Sequence, residues 1–313
     1  MDDRIGRRSF LKRSLLVGTS LIVGDQVFGR VGNTIRNELS TFTDIDLAVV
    51  EGASYYNATR KAVELLGGMR RFVNKQSKIG LLVNSRFDKP GTYANPQIAA
   101  AVVGMCYEAG AKEIVSLEDA SGSYWRRATL TTELKEQADS IREPSGWSTV
   151  EIPKGKRLKK AELVRDLLEC DVFINIPVFK DHEGTRFTGT LKNIMGATSY
   201  STNQFFHQGS NAKGYYDDIE FLSECIIDAN LVRRPTLCIA DATELIMTNG
   251  PFGPGKIVKP RKIVAGIDGV AVDAYGTRFV GLHPEDIMMI RMAGDAGLGR
   301  VDLENLKVVG ATL

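Results

Sequence analysis

The chain predicts an α/β fold, a mainly parallel sheet with helices on both faces in Rossmann-like layers. Segments with strand and helix patterns alternate along most of its length. Several strand segments are continuous apolar runs, as burial on both faces of a sheet requires. The 313 residues are 43% hydrophobic and 25% charged, enough apolar mass for a large core.

The first element is a targeting segment. "RRSFLKRSLLVGTSLIVG" pairs Arg7 with Arg8 ahead of a short apolar stretch broken by glycine, serine and threonine, and it resembles a twin-arginine export signal. The stretch is short and weak for a membrane span. Residues 1–29 are therefore expected to be a signal segment and 30–313 a single α/β domain. "DQVFGR" offers Gly29 but no Ala-x-Ala, so retention as an uncleaved anchor stays open, the membrane being touched only there. The expected partner is the twin-arginine export machinery, which carries folded proteins. The expected location is the periplasm or another extracytoplasmic space.

Apolar runs then mark strands at "DLAVVEG", "KIGLLVN", "EIVSLED", "DVFINIPVF", "TLCIADA" and "KIVAGID". Helical patterns lie between them at 57–73, 96–109, 160–168, 217–230 and 270–280. Pro96 suits a first turn and Gly110 a helix stop. Residues 121–147 are the least regular part and read as an insertion or lid. "KGKRLKK" reads as a solvated loop entering a helix. The net charge of +2, without a basic stripe, argues against nucleic acid. Cys106, Cys170, Cys225 and Cys238 are scattered singly among apolar neighbours, which suits core positions better than cluster ligands.

In parallel sheets, ligands sit beyond the carboxyl ends of the strands. Asn84 and Arg86, Asp119 and Ser121, Lys180 and His182, Asp241 and Thr243, and Asp268 each follow a strand, so they are expected to line one rim. Lys180 and His182 are two apart, which aims both to one side of an extended segment. Lysine offers a charge for phosphate or carboxylate, and histidine a ligand or proton carrier. The alternative is a plain polar turn. Lys192 and Asn193 lie in "TGTLKNIMG", where glycines allow close backbone approach, or where a helix begins near Thr190 with Lys192 in water. Gly250 belongs to "TNGPFGPG", a structural turn or a nest of backbone N–H groups for an anion. Asp241 ends an apolar strand with no helix to cap immediately, and it is a candidate for orienting a metal or base. Asp268 suits a helix N-cap or a metal, Asp273 the first turn of the same helix. His207 follows two aromatics on a segment that could close over the rim, and His283 before Pro284 suits a surface turn.

"IPVFKDHEGTRFTGTLKNIMG", "IADATELIMTNGPFGPG", "AGIDGVAVDAYGTRFVGL" and "AGDAGLGRVDLENLKVVG" resemble successive blocks of the domain of unknown function 362 family, in order and with compatible spacing. The resemblance runs from about Val49 to the C-terminus. It implies no general activity, and the ferredoxin-type cysteine motifs of some members are missing. Where members have Lys-Pro-Asn this chain has Leu82, Val83 and Asn84; where they have Thr-His-Pro it has Ala94, Asn95 and Pro96. A lysine and a histidine are thus missing from the rim. A remoter architectural likeness is to nickel-pincer lactate racemases. No nucleophile elbow, zinc helix, dinucleotide fingerprint or P-loop is present. Three classes remain. The first is catalysis on a small anionic molecule, with or without a metallocofactor, in which Lys180 and Lys192 hold charge, His182 or His207 moves a proton and Asp241 orients a metal or base. The second is an exported protein that binds at the same rim without turnover, and the third an accessory role in metallocofactor or redox-complex assembly. Asn84, Lys192, Asn193, His207 and Gly250 are the expected ligand contacts.

Overall fold

The seven-stranded sheet at the centre of the computed structural model is built as the apolar runs require. The structure describes residues 45–118, 122–208 and 218–313. The expected signal segment, Asp119 and Ser121 lie outside these residues. In chain order the elements are β1 (Leu47–Glu51), α1 (Tyr55–Leu65), β2 (Lys78–Val83), α2 (Pro96–Ala109), β3 (Glu113–Ser116), α3 (Gly122–Trp125), α4 (Thr132–Asp139), β4 (Trp147–Glu151), β5 (Lys160–Val164) and α5 (Arg165–Glu169). Then follow β6 (Val172–Ile176), β7 (Lys180–His182), β8 (Arg186–Thr188), α6 (Thr190–Asn193), α7 (Tyr200–Gln208), α8 (Ile219–Asn230) and β9 (Leu237–Ala242). The last are β10 (Leu245–Ile246), β11 (Ile257–Val258), β12 (Lys262–Gly266), α9 (Gly269–Gly276), α10 (Met288–Asp295) and β13 (Val308–Thr312).

The sheet order is β13-β1-β12-β9-β6-β2-β3. β9, β6, β2 and β3 pair in parallel, as do β1 and β13, whereas β12 is antiparallel to both β1 and β9. β6 and β9 are buried at every position, which is why their sequences show no alternation. Helices cover both faces, with α1 against α2 in one group and α8 against α10 in the other. The four cysteines are free and buried in this core, as expected of isolated apolar thiols.

Two expectations are corrected. Residues 160–164 are a strand, not a helix start: Ala161 and Leu163 are buried while Lys160 is exposed, and the segment pairs residue for residue with β4. The charged run before it had masked this period of two. Asp268 does not join the rim of Asn84, Lys180 and Asp241, because β12 is reversed and its C-terminal end lies at the opposite ends of the parallel strands. Between β9 and β12 there is only the β10–β11 ribbon and no crossover helix, and without a crossover the chain returns antiparallel. Asp268 instead caps α9, accepting from the Val270 and Ala271 amides. The pattern at 57–73 also breaks early: α1 stops at Leu65 and Gly67 and Gly68 turn with positive φ before a short 3-10 turn at Met69–Arg71.

Candidate functional site

β7 and β8 form a hairpin beyond the end of β6, pairing Lys180 with Thr188 and His182 with Arg186. The extended period places Lys180 and His182 on the buried side and Asp181 on the other, as their spacing predicts. Asp181 is held from outside: its Oδ2 accepts the Gly250 N–H at 3.0 Å, and the Gly250 carbonyl accepts the Glu183 N–H at 3.1 Å. A Cβ at Gly250 would stand 1.9 Å from the Asp181 carbonyl oxygen, so glycine is needed there for close packing. Gly250 thus clamps the hairpin from the side opposite the two buried side chains.

From the next strand end comes a chain of amides. Asn175 Nδ2 donates to the Thr190 carbonyl, Asn193 Nδ2 to Asn175 Oδ1 at 2.7 Å, Asn84 Nδ2 to Asn193 Oδ1 at 2.9 Å, and Lys180 Nζ to Asn84 Oδ1 at 3.3 Å. The series fixes every amide orientation and ends on the lysine. Lys180 also donates to the Thr92 carbonyl, and the Phe87 ring lies 4.6 Å from its Nζ. Phe252 packs edge-on against Phe87 at 5.1 Å, so an aromatic pair covers an ammonium that is only 1% exposed.

α6 brings in Lys192 and Asn193. Gly189 supplies no side-chain cap, and the carboxylate of Asp273 on α9 does the work instead, accepting the Thr190 and Leu191 amides at 2.5 and 2.9 Å. Asp273 therefore reaches across to a neighbouring helix and does not serve the first turn of its own. Lys192 is half-buried, with its Nζ 3.3 Å from Met195 Sδ.

Burial, then the Lys192 charge, pulls Lys180 down to about 7, with Glu118 acting against both. Burial likewise brings Lys192 down to about 8 against the pull of Glu118. His182 is driven well below its ordinary range by burial and then by Lys192, Lys180 and His207. It is neutral, and its tautomer is fixed: Nδ1 accepts the Gly184 and Thr185 amides at 3.0 and 3.3 Å, so Nε2 carries the proton. Such an imidazole has no Nδ1 lone pair left for a metal.

The structure thus brings together Asn84, Lys180, His182, Lys192 and Asn193, with His207 of α7 close enough to act on His182. Asp241 lies at the same rim, but both its oxygens are engaged, Oδ2 by the Asn95 amide at 2.6 Å and Oδ1 by the Thr243 amide at 2.7 Å. It braces the entry to α2, and burial raises its carboxyl to about 6. Two residues of the centre escape sequence reasoning. Glu118, the carboxylate acting on both lysines, carries no sequence signal that sets it apart from its neighbour Asp119. Asn175 carries the middle of the amide chain, and its signal was an amide inside the apolar "FINI" of β6.

Among the described residues, no group of three or more His, Cys, Asp or Glu side chains is placed to hold a metal ion. No described helix is long and apolar enough to cross a membrane. Cavities of about 250 and 160 Å³ lie away from the lysines, the larger between α6, α8 and the start of α9, the smaller between α8 and α10.

A family model described as "Domain of unknown function (DUF362)" matches residues 78–278. A thylakoid-associated protein of Synechocystis is 25% identical over 258 residues, 76% of this chain and 73% of its own length. Among solved structures, the lactate racemase apoprotein of Thermoanaerobacterium thermosaccharolyticum is 14% identical with a TM-score of 0.42 over 74% of this chain. A Thermotoga maritima protein is 16% identical with a TM-score of 0.40 over 77% of it. The chain spans 58% of the length of each of these two structures.

Proposed function

We propose a function from one premise, that the chain belongs to the domain of unknown function 362 family: its Lys180–Lys192 centre binds a small anionic ligand at the rim of the sheet. The observation that carries this is that two neighbouring lysines share one carboxylate, Glu118, and neither forms a direct ion pair with it. Lys180 hydrogen-bonds only neutral oxygens and Lys192 only a thioether, and neither forms an ion pair among the described residues. Buried ammonium groups are costly unless paired, and the lowered pKa values express that cost. A phosphate or carboxylate would give both ammonium groups the direct partner they lack.

A metallocofactor fits this centre only through anionic groups of its own. Two ammonium groups and an N–H imidazole do not make a first coordination sphere. Catalysis, binding without turnover and an accessory role in cofactor assembly all use the same anion contact, so that contact is the step to test. Export through the twin-arginine route belongs to this reading, with the folded chain acting outside the cytoplasm; the paired arginines support it, and the thylakoid-associated relative accords with it.

The test is calorimetric titration of the purified chain with inorganic phosphate and with acetate, repeated on Lys180→Met and Lys192→Met. Methionine keeps most of the nonpolar stem. Loss of one charge-assisted contact is expected to weaken binding roughly ten- to hundred-fold, about 1.5–3 kcal/mol. Equal heats in all three proteins, each melting normally, would refute the reading.

A further inference from the structure

We infer that Lys180 is an imine-forming amine, and that the ligand of this centre is a small carbonyl compound carrying a carboxylate. The inference rests on the anion site proposed above and names the chemistry of its occupant.

A lysine becomes a nucleophile when it is desolvated or placed beside a second cation. Lys180 meets both conditions: its side chain is 1% exposed, and the Lys192 charge acts against its protonation. Its two hydrogen-bond acceptors, Asn84 Oδ1 and the Thr92 carbonyl, match the two N–H bonds of a neutral amine. The amide chain through Asn193 and Asn175 holds the first acceptor in place. Two features favour the ammonium, the Glu118 charge and the Phe87 ring of the aromatic cover.

The amine pKa of about 7 then leaves a large neutral fraction at neutral pH, whereas Lys192 at about 8 remains mostly charged and suited to hold the carboxylate. The step balances without a co-reactant. The amine lone pair adds to the carbonyl carbon and a proton passes from nitrogen to oxygen, giving a carbinolamine. Loss of one water then leaves the C=N bond.

The experiment treats the full chain at pH 7 with glyoxylate and cyanoborohydride, then maps carboxymethylated lysines by peptide mass spectrometry. Ordinary lysines are almost wholly protonated at pH 7, so Lys180 is expected to be labelled at least about tenfold faster than the average exposed lysine. Its rate should rise with a midpoint near 7, shaped by the charges facing it, Lys192 and Glu118, while His182 stays neutral. Glyoxylate should outpace propanal at Lys180 but not at surface lysines, and Lys192→Met should remove that preference. Mapping the unaltered protein keeps the test independent of whether a variant folds. Lys180 labelled no faster than exposed lysines, in protein that binds phosphate by calorimetry, would overturn the imine and leave the anion site standing. If phosphate is not bound either, both fall.

Discussion

At Lys180 and Lys192, burial has a pH signature that can be measured without a ligand. Their folded pKa values, about 7 and about 8, lie below that of a lysine in an unfolded chain. A depressed pKa contributes stability that is fully present above the unfolded value and lost as pH falls through the folded one. Asp241 and Asp273 run the other way. Burial raises them to about 6 and about 7, so their contribution is present below the ordinary carboxylate range and lost as pH rises through those values. Above about pH 8 the two carboxylates have finished and the lysines dominate. From pH 8 to pH 10 the melting temperature of the wild-type chain is therefore expected to gain on that of Lys180→Met plus Lys192→Met by about 5 °C. A constant gap across this range would show that neither lysine is a strained cation. The residue types at this centre were legible in the sequence, because Asn84, Lys180 and His182 follow strand ends and Lys192 and Asn193 lie in the glycine-flanked "TGTLKNIMG". Their protonation was not, since it depends on which groups lie near in space: His182 reads as a proton carrier until its Nδ1 is seen to accept two amides.

The elements that carry these residues are short, and each is held by a contact from far along the chain. α6 is a single turn whose first amides end on Asp273, 83 and 82 residues away. Asp273→Asn puts an amide N–H against one of those donors. It is expected to cost about 1–3 kcal/mol in urea unfolding, and to lower phosphate affinity roughly tenfold by loosening the turn that carries Lys192. Adding the conservative variant Asp273→Glu separates positioning from bulk stability. Phosphate affinity that follows stability alone across the two variants would mean that α6 is not aligned by this carboxylate. The β7 hairpin depends in the same way on Gly250. Gly250→Ala drives a methyl group into the Asp181 carbonyl, and a loss of about 3 kcal/mol is expected, read from the urea midpoint. A change below about 0.5 kcal/mol would mean that the clamp moves freely. The glycine itself is evident in "TNGPFGPG", but its partner across 69 residues is not.

For the whole molecule, the first prediction concerns delivery. Arg7→Lys together with Arg8→Lys is expected to leave the protein folded in the cytoplasm, checked by cell fractionation; undiminished export would rule out the twin-arginine route. The sequence by itself determined the α/β class, six of the seven strands of the main sheet, the burial of the cysteines and the end of the sheet at which Asn84, Lys180 and Asp241 meet. These follow from local apolar runs and from the common direction of parallel strands, which short-range pattern expresses directly. Tertiary structure alone decided the rest. The β10–β11 ribbon in place of a crossover helix reverses β12 and carries Asp268 to the opposite rim, and Asp241 becomes a brace because the Asn95 amide, 146 residues earlier, arrives at its carboxylate. Lys180 and Lys192 become a strained pair by the same cause. A sequence names each charged group, but its solvation and partners depend on distances that only the closed sheet and its connections establish.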